Sequence, residues 1–223
     1  MFNVLFMIGC IIICFTAEIA VYKFFKKEGL YVWIAVASVL ANIFVCKQIN
    51  LFGFATSLGS VLFASNFLAT DILTIKYGKK VTMKAVVLGL VAVLGFIAST
   101  QLGLLFIPNE LDFAQGSMET LFTLSGRISI SSVTMYFISN LFDVYIFDKL
   151  RNKFPKKLWL SNNIATIISN CGENFLFGMG CFLGIFPFWT IIEMQFVGCV
   201  VEIVIALLDT PFLYWARSLK EKN

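Results

Sequence analysis

Amide and carboxylate side chains recur at one spacing inside two long apolar runs of this chain. Residues 138–143 read Ile-Ser-Asn-Leu-Phe-Asp, and residues 168–173 read Ile-Ser-Asn-Cys-Gly-Glu. A looser third copy places Ser65 and Asn66 before Asp71. An amide both donates and accepts hydrogen bonds and a carboxylate accepts them, so each copy can bind a polar solute. Because such groups are costly within lipid, they indicate a functional site.

Further polar residues extend these copies into stripes, since residues three or four apart share one face of a helix. The first stripe contains Ser129, Ser132, Tyr136, Asn140 and Asp143. The second stripe contains Asn163, Thr166, Asn170 and Glu173. Earlier runs add the polar residues Ser38, Asn42, Asn66, Thr70 and Asp71. If the first two stripes lie on consecutive antiparallel membrane helices, we expect them to face each other or a shared cavity.

The composition is that of an integral membrane protein. The chain has 223 residues, is 59% hydrophobic and 13% charged, and has a mean hydropathy of +0.89. Soluble domains are about 45–50% apolar and about 25% charged. Because one helical crossing takes about 20 residues, this length accommodates six or seven spans in a lipid bilayer and little else.

The apolar runs predict seven helices, at about 3–23, 30–50, 54–77, 81–106, 121–148, 159–185 and 188–215. Of the 17 basic residues, 15 follow the first, third, fifth and seventh of these helices. The positive-inside rule then predicts an outside N-terminus and a cytoplasmic C-terminus. Glu18, within the first run, is expected near the membrane interface rather than in a site.

Several classes of function are disfavoured by the sequence. The net charge of +4 is spread over short clusters between apolar runs, which argues against nucleic-acid binding. The six cysteines form no Cys-x-x-Cys motif, and the chain has no histidine to complete a zinc site. No glycine-rich nucleophile elbow and no nucleotide-binding loop are present. We therefore expect no metal, no cofactor and no enzymatic activity, with transport either passive, ion-coupled or driven by a partner.

The acids of the stripes lack obvious cationic partners. Arg127 is the only basic residue inside a predicted span near them, and it lies sixteen residues from Asp143, about 24 Å along a helix. Arg127 either reaches the lipid headgroups or lines a substrate entrance. The acids must then be protonated, solvated in a cavity or bound to donors. Carboxylates and amides suit a planar heterocycle with a guanine-like edge or another amide-bearing solute, and Tyr136 can stack on such a ring.

Four segments, in this order, resemble the queuosine precursor transporters, also called the vitamin uptake transporter family. They are Phe-Leu-Ala-Thr-Asp-Ile-Leu-Thr at 67–74 before Tyr77-Gly78, Arg127-Ile128 with Ser131, Ser132 and Tyr136, Asp-Val-Tyr-Ile-Phe at 143–147, and Leu-Trp-Leu at 158–160 continuing through Thr166 and Asn170 to Glu173. The resemblance covers about residues 30–217. Many members carry Glu at the position of Ile75, Gln at those of Asn140 and Asn170, and Asp at that of Glu173.

The resemblance implies an all-α integral membrane protein whose six-helix core is similar to the substrate-binding subunit of energy-coupling-factor transporters. An additional transmembrane helix and its basic loop would occupy residues 1–29, the core residues 30–217 and a cytoplasmic tail residues 218–223. The implied function is import of a deazaguanine precursor of queuosine, such as preQ0, preQ1 or queuine, through the cell inner membrane. The alternatives are uptake of another purine-like or vitamin solute, and a non-transporting membrane subunit.

The predicted substrate site combines the stripes with the residues of the resemblance. Asp143 and Glu173 are expected to accept hydrogen bonds from the substrate, while Asn140 and Asn170 orient it. The full set is Asn42, Asn66, Asp71, Arg127, Tyr136, Asn140, Asp143, Asn163, Thr166, Asn170 and Glu173.

Overall fold

The computed structural model describes residues 2–44, 47–51, 54–122, 126–184 and 187–219. In these ranges the chain is an all-α membrane protein with one short β-hairpin. The helices are α1 (Phe2–Phe44), α2 (Gly59–Tyr77), α3 (Lys79–Leu104), α4 (Gln115–Phe122), α5 (Gly126–Lys153), α6 (Leu158–Phe182) and α7 (Phe188–Ser218). The hairpin pairs β1 (Gln48–Leu51) with β2 (Phe54–Ser57) in antiparallel register, with Gln48 opposite Ser57.

Helix α1 consists of two arms separated by a break at Lys26, whose φ of 55° and ψ of −137° are not helical. The break falls inside the gap that the sequence predicted between residues 23 and 30. A side chain at Gly29 would overlap the backbone oxygen of Val21 and the Cβ of Phe25. Glycine at this position therefore allows the second arm to turn closely past the first.

The hairpin changes the predicted ends of two helices. The second predicted helix ends at Phe44 rather than near residue 50, and the next begins at Gly59 rather than near residue 54. The backbone groups in between are partly satisfied by strand pairing, and Leu58 N donates to Lys47 O at 3.0 Å. The short helix α4 was not predicted as a separate element.

Three of the described helices, α1, α3 and α7, are long and apolar enough to cross a membrane by length and composition. Helices α5 and α6 carry the polar stripes. The amide and carboxyl side chains of these stripes lower the apolar content of every membrane-length stretch of the two helices. Large apolar side chains of α3 and α7 are exposed at helical spacing, including Val87, Val91, Val200, Val204 and Leu207. Such faces suit contact with lipid. The count of seven spans stays a prediction.

The helices pack so that most of the described residues of the polar stripes lie inside the bundle. Helix α1 contacts α2 and α3, α5 contacts α6, and α6 contacts α7. An apolar core that includes Phe15, Leu30, Leu73, Phe147 and Leu213 fills the space between them. The polar groups next to this core are therefore held away from both lipid and water.

Candidate functional site

The stripes of α5 and α6 face each other, as the sequence predicted. The Ser139 hydroxyl on α5 donates to the backbone oxygen of Ser169 on α6 at 3.5 Å. Along the same interface the Ser169 hydroxyl lies beside the Asp143 carboxyl, and Ser139 lies beside Glu173. Asn140, Asp143 and Asn170 are buried, with at most 3% of their surface exposed. This interface therefore contains the amides and acids of both repeated segments.

Helix α2 adds the third copy of the pattern to the interior. Asn66, Thr70 and Asp71 are all fully buried. The Asn66 amide donates to the Ser38 hydroxyl at 2.9 Å, which ties α2 to the second arm of α1, while its Oδ1 has no partner among the described residues. Asn42 donates to the Ser38 backbone oxygen at 2.9 Å. The amide nitrogens of Asn42 and Asn66 thus already serve contacts within the protein.

Helix α6 presents three buried oxygen acceptors from the predicted set. The Asn163 amide nitrogen donates to the Trp159 backbone oxygen and to the Thr210 hydroxyl, each at 2.8 Å, so it connects α6 to α7. Its Oδ1, the Thr166 hydroxyl and the Oδ1 of Asn170 have no hydrogen-bond partner in the part of the chain that is described. The three are spaced along one face and leave acceptors for a ligand.

Four acids converge on one level of the bundle, and we call Glu18, Asp71, Asp143 and Asp209 the carboxyl cluster. They come from α1, α2, α5 and α7, and at most 1% of each is exposed. Their charges lie within range of one another, Glu18 with Asp209 and Asp71 with the other three. Both carboxyl oxygens of Glu18, Asp71 and Asp143 lack a hydrogen-bond donor among the described residues.

The sequence offered Asp71 and Asp143 no cationic partner within the predicted spans other than Arg127, and the structure adds Arg151 for Asp71. Arg151, in the last turn of α5, lies near enough for its charge to act on Asp71. Its guanidinium donates to the Thr74 backbone oxygen at 2.5 Å and pairs with Asp148 at 3.5 Å. Arg151 was assigned to a basic loop because the sequence could not show that α5 continues to Lys153.

A second group of acids lies further along α6 and α7, where each acid has a nearby polar partner. The Asn174 amide donates to Glu202 at 2.7 Å, and Ser139 faces Glu173. One Glu173 oxygen, Oε2, still lacks a partner within the described ranges. We call Ser139, Glu173, Asn174 and Glu202 the paired-acid region. It lies about 16 Å from Asn162 along α6, since Glu173 follows Asn162 by eleven residues.

Three buried residues were missed or misplaced from the sequence. Glu18, which was expected near the membrane interface rather than in a site, has a fully buried side chain beside Asp209. Asp209 and Asn162 were not included in the predicted site, yet they form a 2.7 Å hydrogen bond inside the bundle. A polar residue within each apolar run was the available signal, but the pairing of residues 47 positions apart depends on tertiary packing.

Two predicted residues cannot be placed in the site. The backbone of Arg127 and Tyr136 belongs to α5, but their side chains lie outside the described part of the structure. Within the described ranges, no group of three His, Cys, Asp or Glu side chains is arranged to hold a metal ion.

Helices with lipid-compatible faces around buried amides and acids, several of them without a partner in the described part of the chain, define a polytopic membrane protein with a polar interior. The family described as "Putative vitamin uptake transporter" matches residues 57–216. The "Probable queuosine precursor transporter" of Bacillus subtilis (strain 168) is 36% identical over 221 residues, which cover 98% of this chain and 96% of the relative. This chain belongs to the vitamin uptake transporter family, and it is a transporter rather than an enzyme. No solved structure matches the chain.

Proposed function

We propose that this protein imports a deazaguanine precursor of queuosine, such as preQ0, preQ1 or queuine, for tRNA modification. The proposal is supported by the name of the Bacillus subtilis relative, which covers nearly the whole chain. The observation that carries it is the row of buried oxygen acceptors on α5 and α6. These oxygens have no donor among the described residues, and a guanine-like base supplies N–H donors along one edge.

The spacing of the acceptors fits the edge of one bicyclic base. Asp143 lies beside Ser169, and Glu173 follows Ser169 by four residues, about 6 Å along the helix. A planar ligand between α5 and α6 can therefore donate to Asp143 at one end and to Glu173 at the other. The oxygens of Thr166 and Asn170 lie on the same side of α6 and add acceptors that fix its orientation.

The complete proposed site keeps the residues chosen from the sequence but separates their roles. Asp143 and Glu173 accept from the substrate, and Asn140 and Asn170 orient it. Asn66 holds the second arm of α1 against α2 through the Ser38 hydroxyl, and Asn42 donates to the Ser38 backbone oxygen within that arm. Asp71, Asn163 and Thr166 complete the polar wall, while Tyr136 and Arg127 remain candidates for stacking and for the substrate entrance.

We further propose a six-helix core at residues 30–217 similar to the substrate-binding subunit of energy-coupling-factor transporters, with residues 1–29 as an additional helix. The N-terminus would lie outside the inner membrane and the C-terminus in the cytoplasm. Contacts at one end of the bundle support this orientation: Lys76 of α2 donates to the backbone oxygens of Arg217 and Leu219, and Arg151 of α5 to that of Thr74. Three chain segments rich in basic residues thus share one end.

Uptake of labelled preQ1 by cells unable to synthesise it tests the proposal. We expect Asn170→Ala and Glu173→Ala to reduce uptake strongly, because each removes an acceptor that faces the proposed ligand. Glu193→Ala is the matched control, because Glu193 is an exposed acid of α7. Uptake that is unchanged by both site variants would refute the site, and an absence of uptake by the natural protein would refute the substrate.

The family description favours a second candidate, uptake of another vitamin. Competition of labelled preQ1 uptake by a panel of purines and vitamins separates the two, because the true substrate displaces the label at the lowest concentration. A membrane subunit that transports nothing would show no ligand-dependent rise in unfolding temperature in detergent.

A further inference from the structure

The carboxyl cluster has more acids than the proposed substrate can use. Glu18 and Asp209 lie on α1 and α7, away from the α5–α6 interface, and both are buried. Phe15 and Phe212, each one helical turn from one of these acids, have ring centroids 5.3 Å apart, so the two helices are in contact at this level. The first arm of α1 therefore contributes a carboxyl group to the interior of the bundle.

The charges that face this cluster do not balance its four acids. Among the described residues, α5 contributes Arg151, which already binds the Thr74 backbone oxygen and Asp148. The lysines of α2 and α3 are engaged elsewhere or face outward. Lys76 binds the backbone oxygens of Arg217 and Leu219, and Lys79 lies over the ring of Tyr145 at 4.2 Å. Lys80 and Lys84 are exposed. On α1 the titratable side chains one turn from Glu18 are Cys14 and the buried Tyr22.

Asn162 gives an independent indication of what is missing from the cluster. It is fully buried, and its amide nitrogen donates to Asp209 Oδ1 at 2.7 Å, which fixes the amide group within the cluster. The Oδ1 of Asn162 has no hydrogen-bond donor within the described ranges. Neither carboxyl oxygen of Glu18, Asp71 or Asp143 has one there either. An ionised carboxylate donates no hydrogen bond, whereas a protonated carboxyl group donates one. Protons on the acids would supply the donors that these oxygens lack.

We propose that Glu18 and Asp209 form a proton-binding site that couples import to proton entry, with Asn162 as the amide that orients Asp209. Buried like charges without counter-ions are too costly to remain ionised together, so the site binds protons from one side of the membrane and releases them to the other. The proton moves between carboxyl groups without any other bond being made or broken. The coupling step rests on the proposed import function, whereas proton binding does not.

Two measurements on the purified full-length protein test this inference. The first is infrared difference spectroscopy of the protonated-carboxyl C=O band between acidic and alkaline buffer. We expect Glu18→Gln and Asp209→Asn each to remove part of the band, and the control Glu28→Gln, an exposed acid of the same helix, to leave it unchanged. An unaltered band in both site variants would overturn the proposal.

The second measurement uses vesicles reconstituted with the protein and labelled preQ1. A proton gradient should drive accumulation by the natural protein, and Glu18→Gln should reduce accumulation to the level without a gradient while exchange of internal for external preQ1 continues. Continued exchange also shows that the variant is folded. Gradient-driven accumulation that survives in both site variants would overturn the coupling. If the natural protein neither binds nor exchanges preQ1 but the infrared result is as expected, the proposed substrate fails and the proton site stands.

Discussion

The carboxyl cluster and the paired-acid region contain similar residues but differ in how their acids are satisfied. In the paired-acid region Glu202 accepts a hydrogen bond from Asn174 at 2.7 Å. In the carboxyl cluster three acids have no donor within the described residues. Buried polar groups that are paired stabilise helix contacts, whereas unpaired ones are retained for a ligand or a proton. The Asn174–Glu202 pair is therefore structural, whereas Glu173, whose Oε2 lacks a partner within the described ranges, belongs with the acids of the carboxyl cluster as a functional group.

The sharpest test of this comparison is the removal of an acid that should contact the substrate. Asp143→Ala deletes an acceptor and leaves a donor of the bound base unsatisfied, which costs about 1–3 kcal/mol, so preQ1 binding should weaken by about fivefold to a hundredfold. Isothermal titration calorimetry in detergent measures the change. Glu202→Gln, in the paired-acid region, should weaken binding far less, and equal losses in the two variants would remove the distinction between the regions.

The close packing of α6 on α7 beside the paired-acid region gives the next largest expected effect. A side chain at Gly178 would overlap the amide of Gln195. Gly178→Leu should therefore lower the free energy of unfolding by about 1–3 kcal/mol, the usual cost of overpacking. Gly172→Leu is the control on the same helix, because Gly172 is exposed with open space around it. Reversible unfolding in mixed detergent measures both, and a loss confined to Gly172→Leu would contradict the packing.

Two asparagines with the same type of contact compare the regions directly. Asn162→Ala and Asn174→Ala each remove a 2.7 Å bond to an acid, and each should cost about 0.6–1.7 kcal/mol of unfolding free energy. The pH dependence of preQ1 uptake should shift in Asn162→Ala alone, because Asp209 loses the donor that orients it. Measurement of preQ1 uptake over a series of pH values tests this expectation. An equal shift of the pH dependence in Asn174→Ala would contradict the distinction between the carboxyl cluster and the paired-acid region.

The smallest effect is expected where a polar contact serves neither region. The hydroxyls of Thr74 and Thr82 lie 2.9 Å apart between α2 and α3. Thr74→Val preserves the shape of the side chain and removes this bond, so it should cost about 0.6 kcal/mol of unfolding free energy and leave uptake unchanged. A reduced uptake at normal expression would show that this end of α2 takes part in transport.

Much of the architecture follows from local sequence patterns. Apolar runs predicted the long helices, and the 3–4 spacing of Asn140 and Asp143 predicted a polar face on α5 opposite that of α6. These features depend on helical periodicity and on the cost of polar groups in lipid, which act within one segment. The strands β1 and β2 were missed because each has only four residues and adjoins the long apolar run of a flanking helix.

The sequence by itself determined that this is a membrane protein with amides and acids within its apolar runs, because composition and spacing restrict those properties, and its resemblance to a known family implied transport. The tertiary structure alone decided which acids share a site. Glu18 and Asp209 are separated by most of the chain, and only the packing of α1 against α7 brings them together. Likewise Asn162 could not be paired with Asp209 from spacing, since contacts between distant helices depend on how whole helices pack rather than on neighbouring residues.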